Sequence, residues 1–208
     1  MPELPEVETT KRGVEPYVKN ETIKKILVRN NKLRIPFNKN LAKKIINVDI
    51  KEIKRRAKYI IFEFVNGYSV VIHLGMTGNL RVSKKIKYLK HDHIVFYLSS
   101  GNVLIYNDVR RFGAIDLSRT DRIENHKWLS KLGPEPLSNH FSSPILKDKI
   151  EQKKRFIKTA ILDQNIVAGI GNIYACEALW EAKISPYKMC NNMNEQNFDD
   201  LVNALKIV

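Results

Sequence analysis

The apolar residues of this chain change their spacing once, and that change limits the folds open to it. Through the first part they gather in short runs rich in β-branched and aromatic residues: Ile23–Val28, Ile45–Ile50, Tyr59–Val65, Tyr68–His73, His93–Leu98 and Val103–Tyr106. Asn66-Gly67 lies between the third and fourth runs, the strongest short-range hairpin signal. Ser99-Ser100-Gly101-Asn102 parts the last two in the same manner. Many short antiparallel strands predict a β-sandwich. At Lys131-Leu132-Gly133-Pro134-Glu135-Pro136-Leu137-Ser138 the prolines and glycine break regular structure. Beyond it the spacing turns helical, with Ile157, Ala160 and Ile161, then Ile173, Cys176 and Trp180, then Phe198, Leu201, Val202 and Leu205. The expected fold is α+β: an N-terminal antiparallel sandwich with flanking helices over residues 1–130, then an all-helical unit over 131–208. No internal repeat or low-complexity tract interrupts it.

A chain of 208 residues with 43% hydrophobic content can bury one good core or two smaller ones, which excludes a disordered tail. No apolar run is long enough to cross a bilayer, and the N-terminus lacks the apolar core of a signal peptide, so a soluble cytoplasmic protein is expected. Cys176 and Cys190 are too few for a disulfide framework and cannot supply a four-cysteine zinc site. Lysine and arginine number 36 against 22 aspartates and glutamates, a net charge of +14. Such an excess suits phosphate contacts and the salt-sensitive, largely sequence-independent affinity that goes with them.

The chemistry starts at the first residues. Once Met1 is removed, as the small Pro2 favours, the chain begins with a secondary amine whose lone pair is free of amide resonance. Attack by that amine on a sugar carbon gives an iminium, and the carboxylate of Glu3 stands beside it. Pro5 fits the first turn of a helix, where Glu6 and Glu8 meet the positive end, and Val7, Thr10 and Val14 follow at helical spacing. In the helical half, Gly169 and Gly171 allow close approach of a ligand to the backbone, and Asn172 is expected to cap the next helix, leaving outward N–H groups for a phosphate. Lys153, Lys154, Arg155 and Lys158, expected on the preceding helix, add positive charge.

Pro2-Glu3-Leu4-Pro5-Glu6-Val7-Glu8-Thr9, Arg55-Arg56-Ala57-Lys58-Tyr59, His73-Leu74-Gly75-Met76-Thr77-Gly78, Lys90-His91-Asp92-His93, Asp108-Val109-Arg110-Arg111-Phe112-Gly113, Leu132–Ser138 and Gly169-Ile170-Gly171-Asn172-Ile173-Tyr174-Ala175 together resemble bacterial formamidopyrimidine-DNA glycosylases. The motifs run in the family's order over nearly the whole chain. The resemblance implies a monomeric base-excision enzyme on double-stranded DNA. It removes oxidised purines such as 8-oxoguanine and formamidopyrimidines, then cuts the strand at the abasic site by β,δ-elimination. It makes Pro2 the Schiff-base nucleophile, Glu3 the acid and base on the sugar, and Lys58 the proton donor of β-elimination. Met76, Arg110 and Phe112 would fill the hole left by the extruded base, because a base inside a duplex must be flipped out to be reached. Lys158 and Asn172 would grip phosphates from a helix-two-turns-helix element.

Taken one at a time these residues read otherwise: Met76 and Phe112 as core, Lys58 as a solvated strand end, Arg110-Arg111 as a surface pair. His91 and His93 alternate along a strand and could share a metal, but no third ligand is placed, and the resemblance makes His91 a DNA contact. Family members continue into a lesion-covering loop and a four-cysteine zinc finger whose arginine serves the last elimination. This sequence ends at Leu205-Lys206-Ile207-Val208. No cofactor is therefore expected within it, and duplex affinity and the last elimination are expected to be weakened in this chain alone. An endonuclease VIII-type enzyme for oxidised pyrimidines and a non-catalytic DNA-binding module are the alternatives.

Overall fold

Alternating buried and exposed side chains carry the first half into two antiparallel sheets. The computed structural model describes residues 2–30 and 33–208, and of Lys39 the main chain only; Met1, whose removal is expected, lies outside the described residues. The strands are β1 (Ile23–Val28), β2 (Ile50–Arg56), β3 (Tyr59–Phe64), β4 (Tyr68–His73), β5 (Gly78–Ser83), β6 (Asp92–Leu98), β7 (Val103–Asp108) and β8 (Ala114–Arg119). They form two four-stranded sheets, ordered β1-β6-β7-β5 and β2-β3-β4-β8. Ile23, Leu80, Phe96 and Leu104 from one sheet share a core with Ile53, Ile60, Phe62, Ile72 and Ile115 from the other. The helix α1 (Leu4–Val18) adds Val7, Val14 and Val18 to that core. Each such side chain contributes roughly 1.5–3 kcal/mol when fully buried, so α1 is fastened along its length. That fastening fixes the chain's amino end.

The expected Asn66-Gly67 hairpin forms, with Gly67 at φ 78°, as does the second around Gly101 at φ 85°. The strand expected over Ile45–Ile50 does not. Asn38 caps α2 (Lys39–Ile45) by accepting the Asn40 N–H at 2.8 Å, and Leu41 and Ile45, four residues apart, bury completely. The strand begins only at Ile50, where alternation sets in. In β2–β3 the two-residue turn Ala57-Lys58 places Ala57 at φ 50°, the left-handed region that side chains rarely adopt.

Residue contacts divide the chain after His126, and Lys127–Val208 is a second compact unit. Its helices are α3 (Ser143–Ile150), α4 (Ile157–Ile161), α5 (Asn172–Glu181) and α6 (Glu195–Ile207). Phe198, Leu201, Val202 and Leu205 of α6 bury as their spacing predicts, and Asn194 caps that helix through the Asn197 N–H at 2.9 Å. Helix α5 turns the other way. Ala175, Ala178 and Leu179 face the core, whereas Ile173, Cys176 and Trp180, the stripe expected inside, are exposed, Trp180 by 83%. Close helix packing selects the small alanines over the large side chains. No described helix is long and apolar enough to cross a membrane.

Candidate active site

Glu3 is the N-cap of α1, and its own N–H is held by the Glu6 carboxylate at 2.9 Å, while Pro5 sits in the first turn. This bracing fixes the direction in which Pro2, half-buried, enters the helix. The Glu3 side chain is only 2% exposed and Lys58 only 7%, so the lysine is not the solvated strand end it resembles when read alone. Burial pushes the Lys58 ammonium below the usual lysine range, and the Glu3 carboxylate pulls the other way, which places the two groups within electrostatic reach.

The turn carrying Lys58 is tied to α1. Arg55 Nε donates to Glu8 at 2.8 Å, and Arg55 Nη1 donates to the Ala57 carbonyl at 3.1 Å. Burial raises the Glu8 carboxyl, but hydrogen bonds from Arg12 and Arg55 and the charge of Lys11 outweigh it and leave the group below its ordinary range. A continuous ionic link thus sets the strained Ala57-Lys58 turn against the helix whose first turn holds Glu3. His73 completes the cluster. Its ring stands 5.0 Å from that of Tyr59, and its Nδ1 accepts the Gly75 N–H at 3.1 Å. Burial first, then the charges of Lys58 and Arg34, lower its pKa from 6.5 to about 4, so it is a neutral imidazole at physiological pH.

Two loops leave this sheet framework with their backbones in contact. In the β4–β5 loop Gly75 adopts φ 66°, and a Cβ there would lie 2.5 Å from Phe112 C and Gly113 N in the β7–β8 loop. Only glycine allows that approach. Met76 on the first loop is 38% exposed and Phe112 on the second 44%, so neither belongs to the core. The Arg110 guanidinium lies 4.8 Å from the centre of the Phe112 ring. His91 is half-buried, and its carbonyl accepts the Asp108 N–H at 3.1 Å. The ring of His93 donates through Nε2 to the Asp108 carbonyl at 2.6 Å, since a carbonyl can only accept. The two rings stand 6.5 Å apart, and among the described residues no group of three or more potential ligands gathers.

In the second unit Gly171, not Asn172, is the N-cap of α5. Asn172 is the first helical residue, and its side chain is exposed. Lys153, Lys154 and Arg155 precede α4 rather than lying on it, and Arg155 turns inward to Asp163 at 3.3 Å and the Thr159 carbonyl at 2.6 Å. Lys158 is on α4 and half-buried. Gln164 shapes the turn between the helices: its Oε1 accepts the Gly169 N–H at 2.9 Å, and its Nε2 donates to Ile170 O at 2.8 Å. Gly169 takes φ 99° to allow it.

The model of the formamidopyrimidine-DNA glycosylase N-terminal domain matches residues 1–115, and that of the formamidopyrimidine-DNA glycosylase H2TH domain matches 132–208. The chain belongs to the formamidopyrimidine-DNA glycosylase family. It is 42% identical to the formamidopyrimidine-DNA glycosylase of Klebsiella pneumoniae and 43% to that of Saccharophagus degradans, in each case over 100% of this chain and 76% of the relative. Among solved structures it resembles Lactococcus lactis Fpg in complex with DNA containing an abasic site, with TM-score 0.91 and 35% identity over 98% of this chain and 75% of that one. It also resembles MutM in complex with DNA containing carbocyclic 8-oxo-G, with TM-score 0.92 and 36% identity over 99% and 77%.

Within this member of the family, reasoning from sequence missed the residues that hold others in place. His73 and Arg55 lie inside motifs that drew attention for their neighbours, and Asp108 opens another. Their signal was membership in those motifs. Gln164 carried none.

Proposed function

We propose that the chain excises oxidised purines, 8-oxoguanine and formamidopyrimidines, from double-stranded DNA and cuts the strand at the abasic site left behind. The observation that carries this reading is the pairing of two buried ionisable side chains, Glu3 and Lys58, at the one end of the chain able to present a free secondary amine. A lysine desolvated beside a carboxylate stabilises a fold poorly and suits proton transfer well.

The Pro2 nitrogen attacks C1′ of the extruded nucleotide. The N–C1′ bond forms as the glycosidic bond breaks, that electron pair leaves with the base, and the departing base takes up the proton that the Pro2 nitrogen sheds. Glu3 supplies a proton to the sugar ring oxygen as the ring opens, giving the iminium. The iminium acidifies the C2′ hydrogen. Its removal by Glu3, the acid and base on the sugar, expels the 3′ phosphate in β-elimination, with Lys58 as the proton donor; a second elimination releases the 5′ phosphate. Met76, Arg110 and Phe112 occupy the space vacated by the base, with the guanidinium addressing the orphaned partner. Lys158 and Asn172 hold backbone phosphates, and His91 is a further DNA contact. We place the reaction in the bacterial cytoplasm, carried out by a monomer.

Borohydride trapping on a duplex containing 8-oxoguanine tests this. A covalent protein–DNA adduct of the methionine-processed chain is expected, and its absence from folded, processed protein overturns the assignment. Lactococcus lactis Fpg has also been solved with DNA containing an oxidized pyrimidine. Parallel excision from both lesion types therefore decides the substrate class.

A further inference from the structure

Asp108 has no part in the chemistry above, yet it is fully buried at the end of β7 and its carboxylate collects donors from separate segments. Oδ1 accepts the Thr77 hydroxyl at 2.6 Å, and Oδ2 accepts the Gly113 N–H at 2.9 Å and the Tyr106 hydroxyl at 3.2 Å. A hydroxyl has one proton. Since Thr77 gives it to a carboxylate, which can only accept, the Thr77 oxygen is left as the acceptor for the Arg110 N–H at 2.9 Å. The path Asp108–Thr77–Arg110 crosses from the β4–β5 loop to the β7–β8 loop, and the Gly113 bond closes it on the far side of Phe112. Space enforces the same register: a Cβ on Gly113 would meet the Tyr106 hydroxyl at 1.7 Å, and one on Gly75 would meet the Gly113 nitrogen at 2.5 Å.

We propose that Asp108 is a positioning residue: one buried acceptor that locks both loops in a single register, so that Met76, Arg110 and Phe112 enter the duplex as a preassembled unit. This rests on the hole-filling reading of those three side chains. Bonds to a carboxylate are shorter and stronger than neutral ones, and the Thr77 distance fits that class. Three residues on two irregular loops would otherwise have to be ordered during base extrusion, at a cost in binding free energy that a fixed arrangement avoids.

Thr77→Val tests the link with Asp108 itself kept, because Thr77 lies at the surface and valine keeps its shape; the variant takes from Asp108 Oδ1 its Thr77 donor and from the Arg110 N–H its acceptor. Asp108→Asn is the harsher variant, since its amide sets an N–H against a converging donor. Two readouts are needed: amide hydrogen exchange at Arg110 and Gly113, and single-turnover excision of 8-oxoguanine beside cleavage of a preformed abasic site, where no base has to be extruded. In Thr77→Val the Arg110 amide is expected to exchange faster by about tenfold or more. Excision is expected to fall by roughly tenfold or more relative to abasic-site cleavage, since small misplacements weigh heavily on a reacting geometry. Thr77→Ser is expected to restore both. Equal losses on the two duplexes would assign the network to fold stability alone and overturn the proposal, as would parent-like exchange at Arg110. If the parent cleaves neither duplex, it is the function proposed above that fails. The exchange rates then decide alone: faster Arg110 exchange in Thr77→Val upholds the register, and unchanged exchange removes it.

Discussion

Two irregular regions of this molecule, the paired β4–β5 and β7–β8 loops and the turn between α4 and α5, are each braced by one polar residue, but the anchors differ in kind. Asp108 is fully buried and accepts from Thr77, Tyr106 and Gly113, so it joins separate segments. Gln164 accepts from Gly169 and donates to Ile170 and Leu162, so it stitches one turn to itself. A carboxylate only accepts, and donors from different loops can converge on it. An amide both donates and accepts, and it satisfies the N–H and carbonyl groups of a single strip of backbone. Separate loops are joined by the first device, and a single strip of backbone is held by the second.

The sharpest way to break the contrast is at the glycines. Gly75→Ala meets both an adverse φ of 66° and main-chain atoms of Phe112 and Gly113 at 2.5 Å, which cannot move without carrying the second loop along. We expect a loss of about 2–4 kcal/mol in chemical denaturation. Gly169→Ala has the adverse φ of 99° as its main penalty, so about 1–2 kcal/mol is expected. Equal losses would erase the distinction between a two-loop and a one-loop anchor.

Gln164→Glu sharpens it further. The variant keeps an acceptor for Gly169 and removes the donor to Ile170 and Leu162, leaving carbonyls facing a carboxylate. Unfolding free energy is expected to drop by about 1–3 kcal/mol. Affinity for an abasic duplex should fall with it, while borohydride trapping at saturating DNA stays near that of the parent. Loss of trapping at saturation would show that the turn does more than hold phosphate.

Acid distinguishes the first region from the second. His73 has its pKa lowered to about 4 from 6.5. Between those values the unfolded chain binds a proton that the folded chain refuses, so stability falls as pH drops from 6.5 towards 4 and this contribution levels off below. The loss is on the order of 1–3 kcal/mol. His73→Gln should flatten that limb of the pH–stability curve, and an unaltered limb would show that the imidazole is protonated normally in the folded state.

How far the sequence foretold these regions depended on the range of the interactions. Hairpins at Gly67 and Gly101 were legible because the turn chemistry is local. Strands β5 and β8 were not, since Gly78–Ser83 and Ala114–Arg119 mix polar residues among few apolar ones and gain their burial from neighbours. Helix α2 was hidden by adjacent Ile45 and Ile46, whose β-branching suggests a strand. The solvent-facing side of α5 was misread because Ile173 and Trp180 outweigh Ala175 and Ala178 in any hydrophobic pattern. The candidate chemistry at Pro2, Glu3 and Lys58 was visible as motif, whereas its supports were not. Asp108 reaches Thr77 across 31 residues of sequence, and nothing local to either announces the other.

The smallest effect separates charge from geometry within the second region. Lys158 carries a full positive charge on α4, whereas Asn172 offers a neutral amide at the first turn of α5. Both are proposed to hold phosphate, but only the lysine displaces a condensed counterion when it does. Lys158→Ala should therefore lower the slope of log affinity against log salt by about 0.9, the value for one phosphate contact on duplex DNA. Asn172→Ala should weaken binding by about the worth of one hydrogen bond, roughly 1 kcal/mol, at every salt concentration and leave the slope unchanged. Salt titrations of a fluorescent abasic duplex measure both. A slope change in Asn172→Ala would mean that the turn binds its phosphate through rearranged cations rather than through the N-terminus of α5.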